Sequence, residues 1–314
     1  MITFSVCMIV RNEEAVLGRC LDAIQGVYDQ LVIVDTGSED ATVSIARLYT
    51  SEVYCEPWEN DFGKARNSSY SRARCDYILY LDADDVLPGE EREKLLRLKQ
   101  ELGAMQEARR PRTILMRYDV PEAGGISYRQ RMVARRDDGR YWQGQLHECL
   151  FFEEPVLETD ILFLHRKLVQ PPKDRNCNII RSIPRETLRK NFWLSAQCYL
   201  DMVLAGHEEE AEEYFAMCRE AYAHGESTCL QISSTLNNHK LWAQALRWAE
   251  LAESDPDAEP ALTVPLLQQG VKACVGLGRL DEATEYNERV LRLAPENRAA
   301  RLNRIFLEQK RQEA

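Results

Sequence analysis

Short apolar runs and helical periodicities alternate along the first half of the chain. The apolar runs typical of buried strands lie at residues 3–10, 30–34, 53–55 and 78–81. Between them, apolar residues recur at the spacing of amphipathic helices over residues 15–24, 41–48 and 65–74. Strands that alternate with helices in this way predict a parallel, doubly wound α/β sheet. Later apolar runs at 132–135 and 161–164 predict two further strands.

A helical pattern rich in Ala, Glu, Leu, Arg and Gln begins after Pro171-Pro172. Three segments share a turn residue followed five positions later by alanine: Gly206 with Ala211, Lys240 with Ala245, and Gly278 with Ala283. The alanines are 34 and then 38 residues apart, and 34 is the tetratricopeptide period. We therefore expect an α/β domain at residues 1–175 and tetratricopeptide-like helical repeats at residues 176–314.

Two features depart from the repeat pattern. Asn287 stands where an aromatic residue is expected, with Tyr286 beside it, and the four extra residues predict a longer loop at 255–260. The repeats favour a concave surface that binds a polypeptide or a partner subunit. The alternative is a helical bundle that only braces the first domain.

Composition and charge exclude several classes of protein. The chain has 314 residues, 45% of them hydrophobic, and a net charge of −11, which argues against a nucleic-acid partner. No run of about 18 apolar residues predicts a membrane span, and residues 1–10 are interpreted as a strand, not a signal peptide. The ten cysteines are scattered without a C-x-x-C pair, as in a reduced cytoplasmic protein.

Polar residues follow three of the predicted strands at the point where each strand ends. They are Arg11-Asn12-Glu13, Asp35-Thr36-Gly37-Ser38 and Asp82-Ala83-Asp84. Ligands of doubly wound sheets bind beyond the carboxyl ends of the strands, and paired carboxylates are typical ligands of Mg²⁺ or Mn²⁺. Each segment alone could be a turn or a helix cap. Three at equivalent positions favour a nucleotide and metal site.

The Gly-rich phosphate motifs of dehydrogenases and P-loop enzymes are missing from the sequence. A metal ion, helped by Arg11, Lys64 or Arg66, would have to neutralise a bound diphosphate instead. Asp35 can accept a hydrogen bond from a base or a ribose hydroxyl, and Gly37 permits close approach of the backbone.

These residues carry a resemblance to a known family. Four segments, at residues 5–14, 32–42, 62–67 and 81–85, resemble in order and spacing the family 2 glycosyltransferases of GT-A fold. The resemblance covers roughly residues 1–170. It implies a nucleotide-sugar donor, a Mn²⁺ or Mg²⁺ ion and inversion at the anomeric carbon.

The resemblance also implies roles for single residues. Asp35 would contact uracil, Arg66 the base or the diphosphate, Asp82 the ribose or the metal shell, and Asp84 the metal. A late histidine completes the metal shell in many GT-A enzymes, which points to His165 at the end of a predicted strand. We expect the donor site to include the neighbours of these residues as well: Val10, Arg11, Asn12, Glu13, Gly37, Lys64 and Ala83.

The segment Trp142-Gln-Gly-Gln-Leu-His-Glu148 offers a catalytic base. An inverting transfer needs a group that takes the acceptor proton. Glu148 is the first candidate, His147 the second and Asp85 a third. A polar surface loop is the alternative interpretation of this segment.

The sequence therefore favours a cytoplasmic, metal-dependent glycosyltransferase that uses a UDP-sugar. A protein or peptide acceptor, held by the repeats, is preferred to a surface polysaccharide or lipid-linked glycan. The third interpretation belongs to a different class of protein: an inactive, transferase-like interaction scaffold. The sequence leaves self-association into a homo-oligomer open.

Overall fold

The structure, a computed structural model, describes residues 1–120, 125–136, 139, 141–168, 172–222, 225–253 and 260–313. The chain divides into two compact units, Met1–Pro172 and Lys173–Ala314. The first combines a sheet with helices and the second is helical, so the predicted fold class is confirmed. None of the described helices has the length and apolar character that crossing a bilayer requires.

The first unit begins as the periodicity predicts and then adds strands. Its strands are β1 (Phe4–Val10), β2 (Gln30–Asp35), β3 (Val53–Cys55), β4 (Tyr77–Tyr80), β5 (Asp85–Val86), β6 (Thr113–Val120), β7 (Gly125–Ala134), β8 (Trp142–Gln143), β9 (Cys149–Leu150) and β10 (Val156–His165). Its helices are α1 (Leu17–Ala23), α2 (Thr42–Ala46), α3 (Phe62–Tyr70) and α4 (Gly89–Ala104), with a short 3₁₀ helix at Glu107–Arg109.

Eight strands form one sheet in the order β3-β2-β1-β4-β7-β6-β10-β5, and β8 pairs separately with β9. The strands β3, β2, β1 and β4 are parallel, as predicted. Beyond β4 the sheet is mixed and not wholly parallel: β7 runs antiparallel to both of its neighbours, β4 and β6, whereas β10 is parallel to β6. Strands β6 and β7 follow each other closely along the chain, and such neighbours pair antiparallel.

Both faces of the sheet are covered by apolar side chains. Alternate residues of a strand point to opposite faces, and in β1 the side chains of Val6 and Met8 join one cluster whereas Cys7 joins another. The first cluster includes α1 and α4, and the second includes Tyr70 of α3 and Trp142. A sheet buried on both faces has only its edges open to a ligand.

Helix α3 holds the segment of residues 142–148 against the sheet. The Asn67 side chain donates from Nδ2 to the carbonyl oxygen of Trp142 (2.9 Å) and accepts at Oδ1 from the Trp142 amide (2.9 Å). The Phe62 amide donates to the carbonyl oxygen of Gln145 (2.8 Å). The Phe62–Asn67 motif therefore fixes a segment that lies about eighty residues further along the chain.

The second unit is a series of helices. They are α5 (Arg175–Ser182), α6 (Arg185–Arg189), α7 (Phe192–Ala205), α8 (Glu208–Ala221), α9 (Glu226–Asn238), α10 (Trp242–Glu253), α11 (Pro260–Gly276), α12 (Leu280–Leu293) and α13 (Arg298–Glu313). The predicted longer loop at 255–260 lies outside the described residues up to residue 259, and α11 begins at Pro260.

The three turn residues identified in the sequence have the same backbone geometry. Gly206, Lys240 and Gly278 all have positive φ, at 88°, 62° and 73°. In each turn, the next residue's amide donates to the carbonyl oxygen five positions earlier, as in His207 to Met202 (2.9 Å). This is the hydrogen bond of a Schellman cap, which ends one helix and turns the chain into the next.

The residues after these turns are also equivalent. Ala211, Ala245 and Ala283 are fully buried. Their small side chains suit positions where helices approach closely. Asn287 is buried and donates from Nδ2 to the carbonyl oxygen of Ala300 (2.9 Å). Asn287 thus joins two helices by a hydrogen bond where an aromatic side chain was expected.

Gly63 is required where α3 meets the 142–148 segment. A Cβ atom on Gly63 would lie 2.3 Å from the carbonyl oxygen of Gly144, which is a backbone atom. We predict that Gly63→Ala destabilises the first unit by about 1–3 kcal/mol, as overpacking does. A lower midpoint of thermal unfolding of the full chain would show this.

Gly89→Ala is the matched control, because a Cβ atom at Gly89 meets nothing within 4 Å. We expect Gly89→Ala to be neutral or to stabilise by up to about 1 kcal/mol through the unfolded chain. Equal midpoints for the two variants would contradict the close contact between α3 and the segment.

Candidate functional site

The polar segments that follow β1, β2 and β4 lie at one edge of the sheet. These strands are parallel neighbours, and Val10 at the end of β1 pairs with Asp35 at the end of β2. The Thr36 amide donates to the carbonyl oxygen of Val10 (2.9 Å). The edge is therefore a row of strand ends, as the sequence predicts for a parallel sheet.

Asp35 has one satisfied and one unsatisfied carboxylate oxygen. Its side chain is only 2% exposed, and Oδ2 accepts from the amides of Gly37 (3.0 Å) and Ser38 (2.9 Å). Gly37 permits this turn because its φ is 101°. Oδ1 is buried and has no hydrogen-bond partner among the described residues. Because a buried acceptor without a donor is costly, Oδ1 suits a donor group supplied by a ligand.

The loop after β1 is fastened to the loop after β2. Asn12 has a positive φ of 54°, its amide donates to Oγ of Ser38 (2.8 Å), and its Oδ1 accepts from the Glu39 amide (2.8 Å). The Glu13 amide donates to Oγ1 of Thr42 (2.7 Å). These hydrogen bonds fix the loop after β1 relative to the loop after β2 at this edge of the sheet.

Glu13 shows how closely the carboxylates of this edge approach one another. Burial, together with the smaller effect of the negative charge of Asp84, raises the pKa of Glu13 to about 7. Arg11, next to Glu13, is exposed. Negative charge therefore accumulates at the edge and would favour a bound cation.

Arg66 of α3 joins two carboxylates from distant parts of the chain. Its Nε donates to Oε1 of Glu148 (2.7 Å) and its Nη2 to Oδ1 of Asp82 (3.0 Å). The guanidinium also lies over the rings of Trp142 (4.8 Å) and Tyr80 (5.3 Å). Burial alone would lower the pKa of Arg66, but the charges of Asp82 and Glu148 raise it. Three residues singled out in the sequence thus meet in one ion-pair cluster.

Asp84 and His165 form the second cluster of the edge. Asp84 is 7% exposed, and its Oδ1 lies 3.3 Å from Nδ1 of His165 at the end of β10. Hydrogen bonds with Asp84 and Asp85 raise the pKa of His165 to about 9. The donor atoms of Asp84, Asp85 and His165 lie within 4.8 Å of one another and form a candidate metal site. Carboxylate oxygens and an imidazole nitrogen fit Mn²⁺, which accepts both kinds of ligand.

Asp85 is occupied by other groups. It is 1% exposed, forms an ion pair with Arg131 and accepts at Oδ1 from the Tyr118 hydroxyl (2.7 Å). Burial would raise the pKa of Asp85, but the charge of Arg131 lowers it. Asp85 is thus a poor fit for the acceptor base considered in the sequence. Asp82 was also predicted to bind the metal, but in the structure its carboxylate pairs with Arg66.

Sequence reasoning missed Arg131 and Tyr118. The only signal was a charged residue directly before the apolar run Met132-Val-Ala134, since an arginine is rarely buried without a partner. Strand β6, which carries Tyr118, was not predicted at all, although Ile114, Met116 and Tyr118 alternate as in a strand.

The remaining predicted residues divide between the site and its surroundings. His147 is half-buried with a positive φ of 53°, in a loop where Gly144 also has a positive φ of 96°. This backbone brings the neighbouring Glu148 side chain to Arg66. Lys64 is exposed and pairs with Glu59 (2.5 Å), and Ala83 is buried in the apolar core.

Residues 5–153 match the family model Glycosyl transferase family 2. A TPR repeat-containing protein of Synechococcus elongatus is 33% identical over 148 residues, which are 46% of this chain and 35% of that protein. The lipopolysaccharide core biosynthesis glycosyltransferase LpsC of Rhizobium meliloti is 31% identical over 179 residues, 53% of this chain and 63% of LpsC.

Among solved structures, S. aureus TarS 1-349 is similar with a TM-score of 0.42 and 13% identity, covering 91% of each chain. The chain spans less than two thirds of the length of the two relatives above. The family match includes Asp35, Arg66, Asp82, Asp84 and Glu148. Residues 5–153 of this chain therefore match glycosyl transferase family 2 as a domain, and a series of helices follows them.

Proposed function

We propose that this chain is a metal-dependent, inverting glycosyltransferase that moves a sugar from a UDP-sugar to a protein or peptide acceptor. The observation that carries the proposal is the meeting of Arg66, Asp82 and Glu148 at the sheet edge that also holds Asp84 and His165. Such a cluster combines groups for anion binding, cation binding and proton transfer in a transferase domain.

The donor nucleotide fits the unsatisfied oxygen of Asp35. Oδ1 of Asp35 needs a hydrogen-bond donor, and N3–H of uracil is one. Gly37 and Val10 line the approach with backbone, and Asp82 is proposed to contact the ribose or the metal shell. Arg66 is proposed to contact the diphosphate, for which a planar guanidinium is suited.

Asp84 and His165 are the residues proposed to hold Mn²⁺ or Mg²⁺, and Asp82, which pairs with Arg66, is proposed to contribute to the metal shell. A divalent ion held by these residues would offset the negative charge that develops on the departing diphosphate. The side chains of the site are proposed to orient the donor. They also keep the cluster around Arg66 separate from the cluster of Asp84 and His165. Arg66 prevents Asp82 and Glu148 from repelling each other.

Glu148 is proposed as the base. The acceptor's oxygen or sulfur forms a bond to the anomeric carbon, the bond from that carbon to the diphosphate oxygen breaks, and UDP leaves. The acceptor's proton passes to the Glu148 carboxylate, which Arg66 orients. Because attack and departure occur on opposite faces of the carbon, the configuration inverts.

Two observations bear on the acceptor. The helical repeats favour a protein or peptide, because repeat units of this kind bind polypeptides on an extended surface. Similarity to LpsC, whose name concerns lipopolysaccharide core biosynthesis, favours a glycan acceptor as the second candidate.

We predict that Asp84→Ala lowers UDP release from a UDP-sugar by about 10²–10³-fold, because a metal contributes several kcal/mol to such a reaction. Turnover is measured with a panel of UDP-sugars in Mn²⁺. Asp160→Ala is the control, since Asp160 is an exposed carboxylate paired with Lys94. Full wild-type activity in EDTA would exclude the metal-dependent mechanism, and no UDP release from any donor would favour the scaffold reading.

We predict that Glu148→Gln lowers sugar transfer by about 10²–10⁴-fold, the range of a general base. Donor affinity, measured by thermal protection with UDP-sugar and Mn²⁺, should change much less. Glu153→Gln is the control, because Glu153 pairs with Arg112 and Arg136 away from the cluster. If Glu148→Gln transfers sugar at the normal rate, Glu148 is not the base, and His147 becomes the next candidate.

We predict that label from the preferred UDP-sugar enters protein. The full chain is incubated with labelled donor and extracts of the cells that produce it, and the product is divided into protease-sensitive and protease-resistant material. Label that protease releases as small peptides supports the proposal. Label that resists protease and extracts with lipopolysaccharide or lipid-linked glycan would support the second candidate instead.

A further inference from the structure

Arg131 lies at an irregularity of the sheet. Along the β6–β7 pair, Ile114 is opposite Met132, but the next residue, Leu115, is opposite Gln130. Arg131 is therefore an extra residue of β7 without an opposite partner, which defines a β-bulge. Bulges are frequent beside active sites because they redirect a side chain that the regular alternation would place elsewhere.

The redirected side chain is completely buried. Arg131 has 0% side-chain exposure, pairs with Asp85, and lies over the rings of Tyr80 (4.1 Å), Tyr118 (4.7 Å) and Phe163 (5.0 Å). Its Nε and Nη1 have no hydrogen-bond partner among the described residues. Burying this ion pair is expensive, and two apolar residues would often stabilise a fold equally well. Fold stability alone is therefore a weak reason for the pair.

Asp85 transmits the position of Arg131 to the site. Its Oδ2 accepts from the Asp82 amide (3.0 Å), and its Oδ1 accepts from the Tyr118 hydroxyl (2.7 Å). The same hydroxyl lies 2.9 Å from Nδ1 of His165. One buried carboxylate thus fixes both the backbone that carries Asp82 and the ring of His165.

We propose that Arg131 is a positioning residue of the donor site: through Asp85 it sets the placement of Asp82 and His165, and hence the binding of the metal and the diphosphate. This role rests on the glycosyltransferase function proposed above. Arg131 itself is buried beneath the edge and contacts no ligand. Its effect is on the geometry of the groups that do.

The test is a double variant, Arg131→Met with Asp85→Asn. Removing both charges avoids leaving one of them buried alone, and Asn keeps an oxygen acceptor for the Asp82 amide or Tyr118. We expect the midpoint of thermal unfolding without ligand to stay close to that of the wild type. We expect the dissociation constant for UDP with Mn²⁺, measured by calorimetry, to rise about 10–100-fold, as for partners of metal ligands.

Arg112→Met with Glu153→Gln is the control, because this pair belongs to the same unit and is partly exposed. We expect no change in its affinity for UDP and Mn²⁺. A folded Arg131→Met, Asp85→Asn protein that binds UDP and Mn²⁺ as the wild type does would overturn the positioning role. Should that variant not fold, Arg131→Lys replaces it, and unchanged affinity there would overturn the role equally.

The measurement on the wild type separates this inference from the proposed function. If the wild-type chain shows no Mn²⁺-dependent binding of UDP, the donor site itself is refuted, and the role of Arg131 with it. If the wild type binds and the variants bind equally, the donor site stands and only the role of Arg131 is refuted.

Discussion

Crowding of negative charge at one edge of the sheet is the constraint on which this site depends. Asp82, Asp84 and Asp85 occupy three of the four positions 82–85, and Glu13 and Glu148 reach the same region from other segments. Like charges this close are unfavourable unless cations hold them apart. Arg66 does so for Asp82 and Glu148, and the buried Arg131 does so for Asp85. Among the residues that the structure describes, the ion-pair partner of the Asp84 carboxylate is a histidine, His165.

The sequence predicted the residues that follow strands more reliably than those that lie within them. Asp35, Asp82 and Asp84 could be located because an apolar run stops abruptly at each, and parallel strands bring such ends to one edge. The Phe62–Asn67 motif was visible, but its function of clamping Trp142 was not. That contact joins residues 75 positions apart, and no local pattern encodes it.

Arg131 escaped prediction for a related reason. Its importance follows from a bulge, and a bulge depends on the register of β7 against β6, which periodicity does not reveal. In the helical unit the opposite holds. Gly206, Lys240 and Gly278 could be matched from the sequence because a repeat places the same local geometry at regular intervals. Local hydrogen bonds make such turns, so local sequence suffices to find them.

The order in which the chain supplies these groups has a consequence for synthesis on the ribosome. The site includes residues from Asp35 near the start of the chain to His165 at the end of β10. Within it, Asp85 forms an ion pair with Arg131 and accepts a hydrogen bond from Tyr118. A nascent chain that has emerged only as far as β6 holds Asp82, Asp84 and Asp85 without Arg131, Glu148 or His165. In that nascent chain Asp85 lacks Arg131 and Asp84 lacks His165, although Asp82 already has Arg66. The edge therefore obtains its full set of ion pairs only when β10 has been made.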